Sequence, residues 1–320
     1  MFSWYKTKNE LMKLNKAKII QRIIKFMNSP LAGKYIPYAW GSKQILKFVK
    51  SDYSKKKHFR KRLNLFEEFL KNIEDPPKIE DIVPNFLISS FLKPWRSMAF
   101  SYFSKTNTEK YVTIHGLKKF QKSYNQGKGV IILNSHWGFA EAAITLFPML
   151  AYPDFFTIVR MKGSDSLKFI GLKKEMQPQL IIFKNHSNAE LFKSLFKARE
   201  ALMNGHIFHI LGDGYHGKSS ININFLGRIR GFRASFAELG LSTDAAIHPI
   251  FIAINNDGTI DAHILDPIDK GDNNLSRQDR IKYMLEQYVS VLEQKWKEEP
   301  QHINQGFMEK YLRQVHQNLE

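Results

Sequence analysis

A chain of 320 residues with 43% hydrophobic and 13% aromatic side chains buries a sizeable core, which excludes a disordered polypeptide. It contains no cysteine, so disulfides, thiolate nucleophiles and Cys-ligated zinc are excluded. The formal net charge of +18 is confined to the front of the chain: residues 1–130 hold 27 Lys+Arg against 9 Asp+Glu, and residues 131–320 hold 21 against 21. Such a basic front end is suited to a polyanionic surface, either nucleic acid or anionic lipid.

In chain order, MKLNKAKIIQRIIKFM (12–27) places Met12, Ile20, Ile23, Ile24 and Met27 on one helical face, with Lys13, Lys18, Arg22 and Lys25 towards the other. That pattern fits either the plane of a membrane interface or an ordinary surface helix. SKKKHFRKR (54–62) reads as a solvated basic patch. IVPNFLISSFLKPWRSMAF (82–100) is apolar and aromatic, and Pro84 and Pro94 are expected to break it into shorter helices. No apolar run reaches 18 residues and no cleavable signal is recognisable, so a transmembrane helix is not expected.

Beyond residue 110, strands and helices alternate. VTIHG (112–116), GVIILNS (129–135), FFTIVR (155–160), QLIIFK (179–184), IFHILGD (207–213), ININF (221–225), AIHPIFIAI (246–254) and IDAHILDPI (260–268) are predicted strands. Helical periodicity occupies 117–126, 139–150, 163–176, 187–204 and 232–243, and two further helices follow from 276. This implies an α/β fold: a mostly parallel central sheet flanked by helices, with a basic helical N-terminal region and a helical C-terminal tail. Three regions are expected: 1–75 basic, amphipathic and membrane-facing, 76–275 the α/β core, and 276–320 the C-terminal helices.

Ligands of such sheets collect at the carboxyl ends of the strands, where His136, Arg160 and Asp213 fall. In GVIILNSHWGFAE the strand delivers His136 to the sheet edge, Ser135 is the expected helix N-cap, and a helix from Trp137 or Gly138 carries Glu141 in its first turns. A carboxylate bonded to one ring nitrogen fixes the tautomer and leaves the other nitrogen to take a proton from a hydroxyl. The helix N-terminus could offer N–H groups to a developing oxyanion. One His-x4-acid match is the number expected by chance, so context must carry this reading. HxxxxE lacks HExxH metal spacing and no GxSxG elbow occurs, which argues against a zinc protease and a serine hydrolase. His206 and His209 lie in a strand-like run and read as structural.

The run VTIHGLKKFQKSYNQGKGVIILNSHWGFAE resembles the signature of the late acyltransferases of lipid A biosynthesis, a branch of the lysophospholipid acyltransferase superfamily. The similarity continues through FFTIVR, whose arginine is Arg160, and ALMNGHIFHILGDGYHGKSSININFLG, where the strand ends in Asp213. It closes with ASFAELGLSTDAAIHPIFI, so it covers about residues 110–268. The resemblance implies an O-acyltransferase with a His136/Glu141 dyad. It also implies transfer from acyl carrier protein or CoA thioester to a hydroxyl of a lipid or glycolipid, with no metal or other cofactor. The family's usual Gly-Asn-Trp-Glu after the histidine departs here at Phe139 and Ala140, which follow Gly138; its C-terminal motif has only a faint echo in QYVSVLEQKWKEEPQ, and a membrane span like the family's is not expected.

His136 is accordingly the expected base and Glu141 its orienter. Arg160 is assigned to an acceptor phosphate, because a guanidinium fork suits phosphate oxygens. Asp213, Trp137 and Gly138 complete the expected substrate side, and Arg228, Arg230 and Arg233 in LGRIRGFR (226–233) are candidates for an anionic head group or carrier protein. Peripheral association with anionic lipid at the cytoplasmic face of the inner (plasma) membrane is expected. A lysophospholipid or glycerol-phosphate acyltransferase is the alternative within the class. A non-catalytic basic protein binding membrane or nucleic acid is the alternative outside it, although no helix-turn-helix, RNP or zinc pattern accompanies the charge.

Overall fold

A computed structural model describes residues 22, 25–27, 29–53, 60–152, 154–159, 171–182, 188–214 and 220–317. Most of the amphipathic stretch 12–27 and of the basic run 54–62, Arg160 and most of the helix expected over 163–176 lie outside these residues. The described chain opens with helices α1 (Pro30–Tyr35), α2 (Tyr38–Tyr53), α3 (Arg60–Leu70), α4 (Ile79–Ser101) and α5 (Lys105–Tyr111). Ser29 caps α1 by accepting a hydrogen bond from the Ala32 amide, with Pro30 at the first helical position.

Helix α4 runs unbroken for 23 residues through both Pro84 and Pro94, contrary to the expected break. An interior proline costs about 3 kcal/mol. Ile82, Val83, Phe86, Leu87, Trp95, Met98 and Phe100 of this helix are buried, each contributing roughly 1.5–3 kcal/mol, and their sum outweighs both prolines. Among the described residues no helix is long and apolar enough to cross a membrane.

The central sheet has the order β1-β9-β8-β2-β5-β3-β4, formed by β1 (Val112–His115), β2 (Val130–Asn134), β3 (Phe155–Val159), β4 (Gln179–Ile182), β5 (Ile207–Leu211), β8 (Ala246–Ile254) and β9 (Ile260–Ile264). Its pairings are parallel except for β8 with β9, so β1 and β9 run against the other five. The intervening helices are α6 (Leu117–Tyr124), α7 (Ala142–Met149), α8 (Asn188–Met203) and α9 (Ser235–Thr243). The two helices expected after residue 276 are α10 (Arg277–Glu298) and α11 (Gln305–Gln317), joined through a 3-10 turn at Pro300–His302.

The run LGRIRGFR, expected as a basic run of head-group ligands, contains a strand. Strand β7 (Arg228–Arg233) pairs antiparallel with β6 (Ser220–Phe225), and Leu226 and Gly227 form the two-residue turn, both with positive φ. Leu226 adopts this conformation with its amide donating to Glu293 of α10 at 2.8 Å and its carbonyl accepting from Tyr311 of α11.

Alternation along β2 separates two cores. Val130 and Ile132 pack with Phe120, Ala143, Leu146 and Phe147 on one face. Ile131 and Leu133 pack on the other with Ala198, Phe236, Leu285 and Trp296, in a cluster that also takes in Ala32, Ile45, Met308 and Leu312. The connection leaving β2 therefore crosses one face through α7, and that leaving β5 crosses the other through α9. Adjacent strands whose connections depart to opposite faces open a crevice at their carboxyl ends.

Candidate active site

Strands β2 and β5 are paired with a constant offset of 77 residues, from Val130↔Ile207 to Asn134↔Leu211. Two residues past each strand end the same offset brings His136 and Asp213 together. Both carboxylate oxygens are engaged: Asp213 Oδ2 accepts from the His136 amide at 2.6 Å, and Oδ1 faces His136 Nδ1 at 2.8 Å. A carboxylate at Nδ1 holds the proton there and leaves Nε2 as the basic nitrogen. Asp213 is 1% exposed, whereas the His136 side chain is 37% exposed, so a buried carboxylate holds a partly open imidazole.

Glu141, the carboxylate expected at the ring, instead accepts a hydrogen bond from Ser97 Oγ of α4 at 3.2 Å. The local backbone explains the difference. Gly138 has φ +62°, and a Cβ there would lie 2.2 Å from the Ile252 carbonyl oxygen. The Gly138 and Phe139 amides donate to the carbonyls of His302 and Ile252, each at 2.6 Å, so the segment is a pinned turn and α7 begins only at Ala142. Glu141 occupies the cap position, Ser135 is not the cap, and the amides of Gly138 and Phe139 are already bonded rather than presented to an oxyanion.

The turn is braced from several sides. Asn134 Nδ2 donates to the Ala140 carbonyl at 2.9 Å, while its Oδ1 accepts from the Ser135 amide at 2.8 Å. Tyr288 of α10 donates to the Asn134 carbonyl at 2.9 Å, and burial raises its hydroxyl pKa well above 10, so it remains a donor. Phe307 of α11 stacks on the His136 ring at 4.1 Å, and the Asn304 amide donates to the His136 carbonyl at 3.2 Å. Nothing near either position in the sequence signals the Phe307 contact, because it joins residues far apart in the chain.

The remaining expected site residues separate into distinct environments. Trp137 is buried, edge-on to Phe251 and His302, and belongs to the core rather than to a substrate surface. Arg230 is buried as well: its Nη2 donates to the Asp213 carbonyl at 2.9 Å, and its guanidinium packs on Phe232 at 4.5 Å and Phe225 at 5.2 Å. It supports Asp213 from behind. Arg228 donates to Asn72 at 2.9 Å and lies 5.9 Å over Tyr311, while the Arg233 amide donates to the Gly214 carbonyl at 3.0 Å. His209 bonds Thr157 Oγ1 at 3.0 Å inside the sheet, and burial, with a smaller contribution from His136, lowers its pKa to about 4.

The sequence profile of the bacterial lipid A biosynthesis acyltransferases matches residues 92–300, which include His136, Glu141 and Asp213 and stop short of Phe307. No individual curated protein matches the chain.

Proposed function

The chain belongs to the bacterial lipid A biosynthesis acyltransferase family, and from that footing we propose that it moves a fatty acyl group from a thioester to a hydroxyl of a lipid or glycolipid. Family membership supports acyl transfer as the reaction class. The observation that carries the mechanism is the His136–Asp213 pair, with one ring nitrogen anchored and the ring partly open to solvent.

In this reading His136 Nε2 removes the proton of the acceptor hydroxyl as its oxygen attacks the thioester carbonyl. The buried Asp213 stabilises the imidazolium that forms. Collapse of the tetrahedral intermediate breaks the C–S bond, and the imidazolium returns its proton to the departing thiolate. The products are an ester and a free thiol, and the enzyme regains its starting state. Glu141 is retained as a carboxylate beside this turn, and Arg160 as the contact to an acceptor phosphate.

Peripheral attachment to the cytoplasmic face of an anionic membrane is part of the proposal. It is supported by the charge of residues 1–130 and by the exposed side chains of Leu31, Tyr35 and Trp40 on α1 and α2. Helix α2 is tied to the carboxyl end of β8, since Tyr38 Oη donates to the Gly258 carbonyl between β8 and β9 at 2.7 Å. The test is transfer of a labelled acyl group from acyl-carrier-protein and acyl-CoA donors into bacterial lipid extract. We expect turnover by the wild type and its loss in a folded His136→Ala variant; wild-type rates in that variant would overturn the assignment.

A further inference from the structure

Helix α8 has an unusual outer surface. Phe192, Phe196 and Met203 are 60%, 69% and 59% exposed, and Arg199 between them is also exposed. Their spacing is 4-3-4, the spacing of a helix–helix seam. At about 100° per residue these four side chains fall within an arc of about 60°, narrower than the face of about 100° or more by which a helix covers a core. The opposite side of α8 is already used, with Ser194, Ala198, Ala201 and Leu202 buried.

The charges beside this stripe are mostly basic: Arg199 lies within it, and Lys193 and Lys197 lie on its flank about 100° and 140° round from Phe192, with Glu200 on the same flank at about 80°. Lys193, Lys197 and Arg199 are exposed, against Glu200 as the one exposed acid between residues 192 and 203. The seam therefore suits a helix that pairs apolar residues with carboxylates. The chain's own stretches 1–21, 54–59, 161–170, 183–187 and 215–219 are each net basic and lack that complementarity. A bilayer would be better matched by a broader apolar face.

The position of α8 relates it to catalysis. Its C-terminal end lies at the amino end of β2, where a Cβ on Gly129 would meet the Leu202 carbonyl oxygen at 2.4 Å. Its N-terminal end is thus directed towards the carboxyl end of the sheet, the end that holds His136 and Asp213. The stripe from Phe192 to Met203 extends roughly 16 Å down from there.

We infer that this face of α8 is the docking surface for the protein that carries the acyl donor: a small acidic helical carrier whose prosthetic arm presents the thioester to His136. Apolar contact through Phe192, Phe196 and Met203 anchors the carrier helix, and Lys193, Lys197 and Arg199 meet its carboxylates. The inference rests on the thioester-donor reading above and adds the place at which a carrier-borne donor docks.

The experiment compares two double variants, Phe192→Ser with Phe196→Ser and Lys193→Glu with Lys197→Glu, against the wild type. All four side chains are exposed, so neither variant removes core packing. With acyl carrier protein bearing a saturated acyl chain, KM should rise by about tenfold or more at little-changed kcat, in keeping with the loss of interface anchors. With acyl-CoA of the same chain, both constants should stay within about twofold. Direct titration of acyl carrier protein into the full-length protein and into His136→Ala reads docking without turnover. Tight binding by both, weakened in the two double variants, supports the seam even if the acyl-transfer reading fails. Equal carrier binding by wild type and double variants overturns it. So does loss of sedimentation with phosphatidylglycerol vesicles in place of carrier binding, because the stripe would then be a membrane contact.

Discussion

Asp213 lies beside His136 because β2 and β5 are paired in register, and the 77-residue offset that starts at Val130 and Ile207 persists two residues beyond both strands. The pair is therefore a property of the sheet. Glu141, though only five residues from His136, is carried away by the turn at Gly138 and meets Ser97 on α4.

This relationship ranks the two carboxylates. In the proposed mechanism Asp213→Asn removes the charge opposite the imidazolium and should lower kcat by about 10²- to 10⁴-fold, the usual range for general-base assistance. Glu141→Gln keeps an oxygen for Ser97 and should cost distinctly less. Steady-state kinetics on both variants, with circular dichroism to establish folding, checks the order, and a larger loss in Glu141→Gln would reverse the roles.

Phe307 lies beyond the 92–300 match yet forms one wall of the His136 ring. Phe307→Ala should loosen the imidazole and lower kcat several-fold to about tenfold, since a ring stack contributes about 0.5–1.5 kcal/mol. Phe307→Tyr should retain most activity. If alanine and tyrosine variants turn over alike, the stack has no part in positioning His136.

Gly138 and Gly127 provide a paired test of backbone constraint. Both have positive φ, but a Cβ at Gly138 would strike the Ile252 carbonyl oxygen whereas one at Gly127 meets nothing within 4 Å. Gly127→Ala should cost only the left-handed penalty of about 1–2 kcal/mol. Gly138→Ala adds displacement of β8 backbone and should lower the melting temperature further and reduce activity with it. Similar melting temperatures for the two variants would show that the turn can relax.

Acid should destabilise the fold through two buried imidazoles. Burial takes His209 and His302 from the ordinary 6.5 to about 4, with His136 adding to the shift at His209. The unfolded chain then binds more protons between those values, so stability is full above pH 6.5 and is lost as pH falls towards 4. Each histidine contributes up to roughly 3 kcal/mol over that window. Denaturant titrations at pH 7 and pH 4.5 should differ less in His209→Gln and in His302→Gln than in the wild type; an unchanged difference would mean that neither imidazole governs the acid response.

Much of the architecture was written in local pattern. Strands β1 to β6, β8 and β9 fall where apolar runs and turn residues place them, because a period of two and a period near 3.6 are set by neighbouring residues alone. His136 at the end of β2 and Asp213 at the end of β5 were legible for the same reason. Other features depended on energies that accumulate across distant segments. Pro84 and Pro94 argue locally for a break, and burial of α4 against the rest of the molecule overrides them. Arg228 and Arg230 suggest a solvated run, yet Arg230 is enclosed by aromatic rings and bonded to the Asp213 carbonyl. Phe307 carries no local signal at all. Sequence spacing nominated Glu141 as the partner of His136, and strand register brought Asp213 there instead, because the 77-residue offset of the β2–β5 pairing carries past both strand ends while the turn pinned at Gly138 directs Glu141 to Ser97.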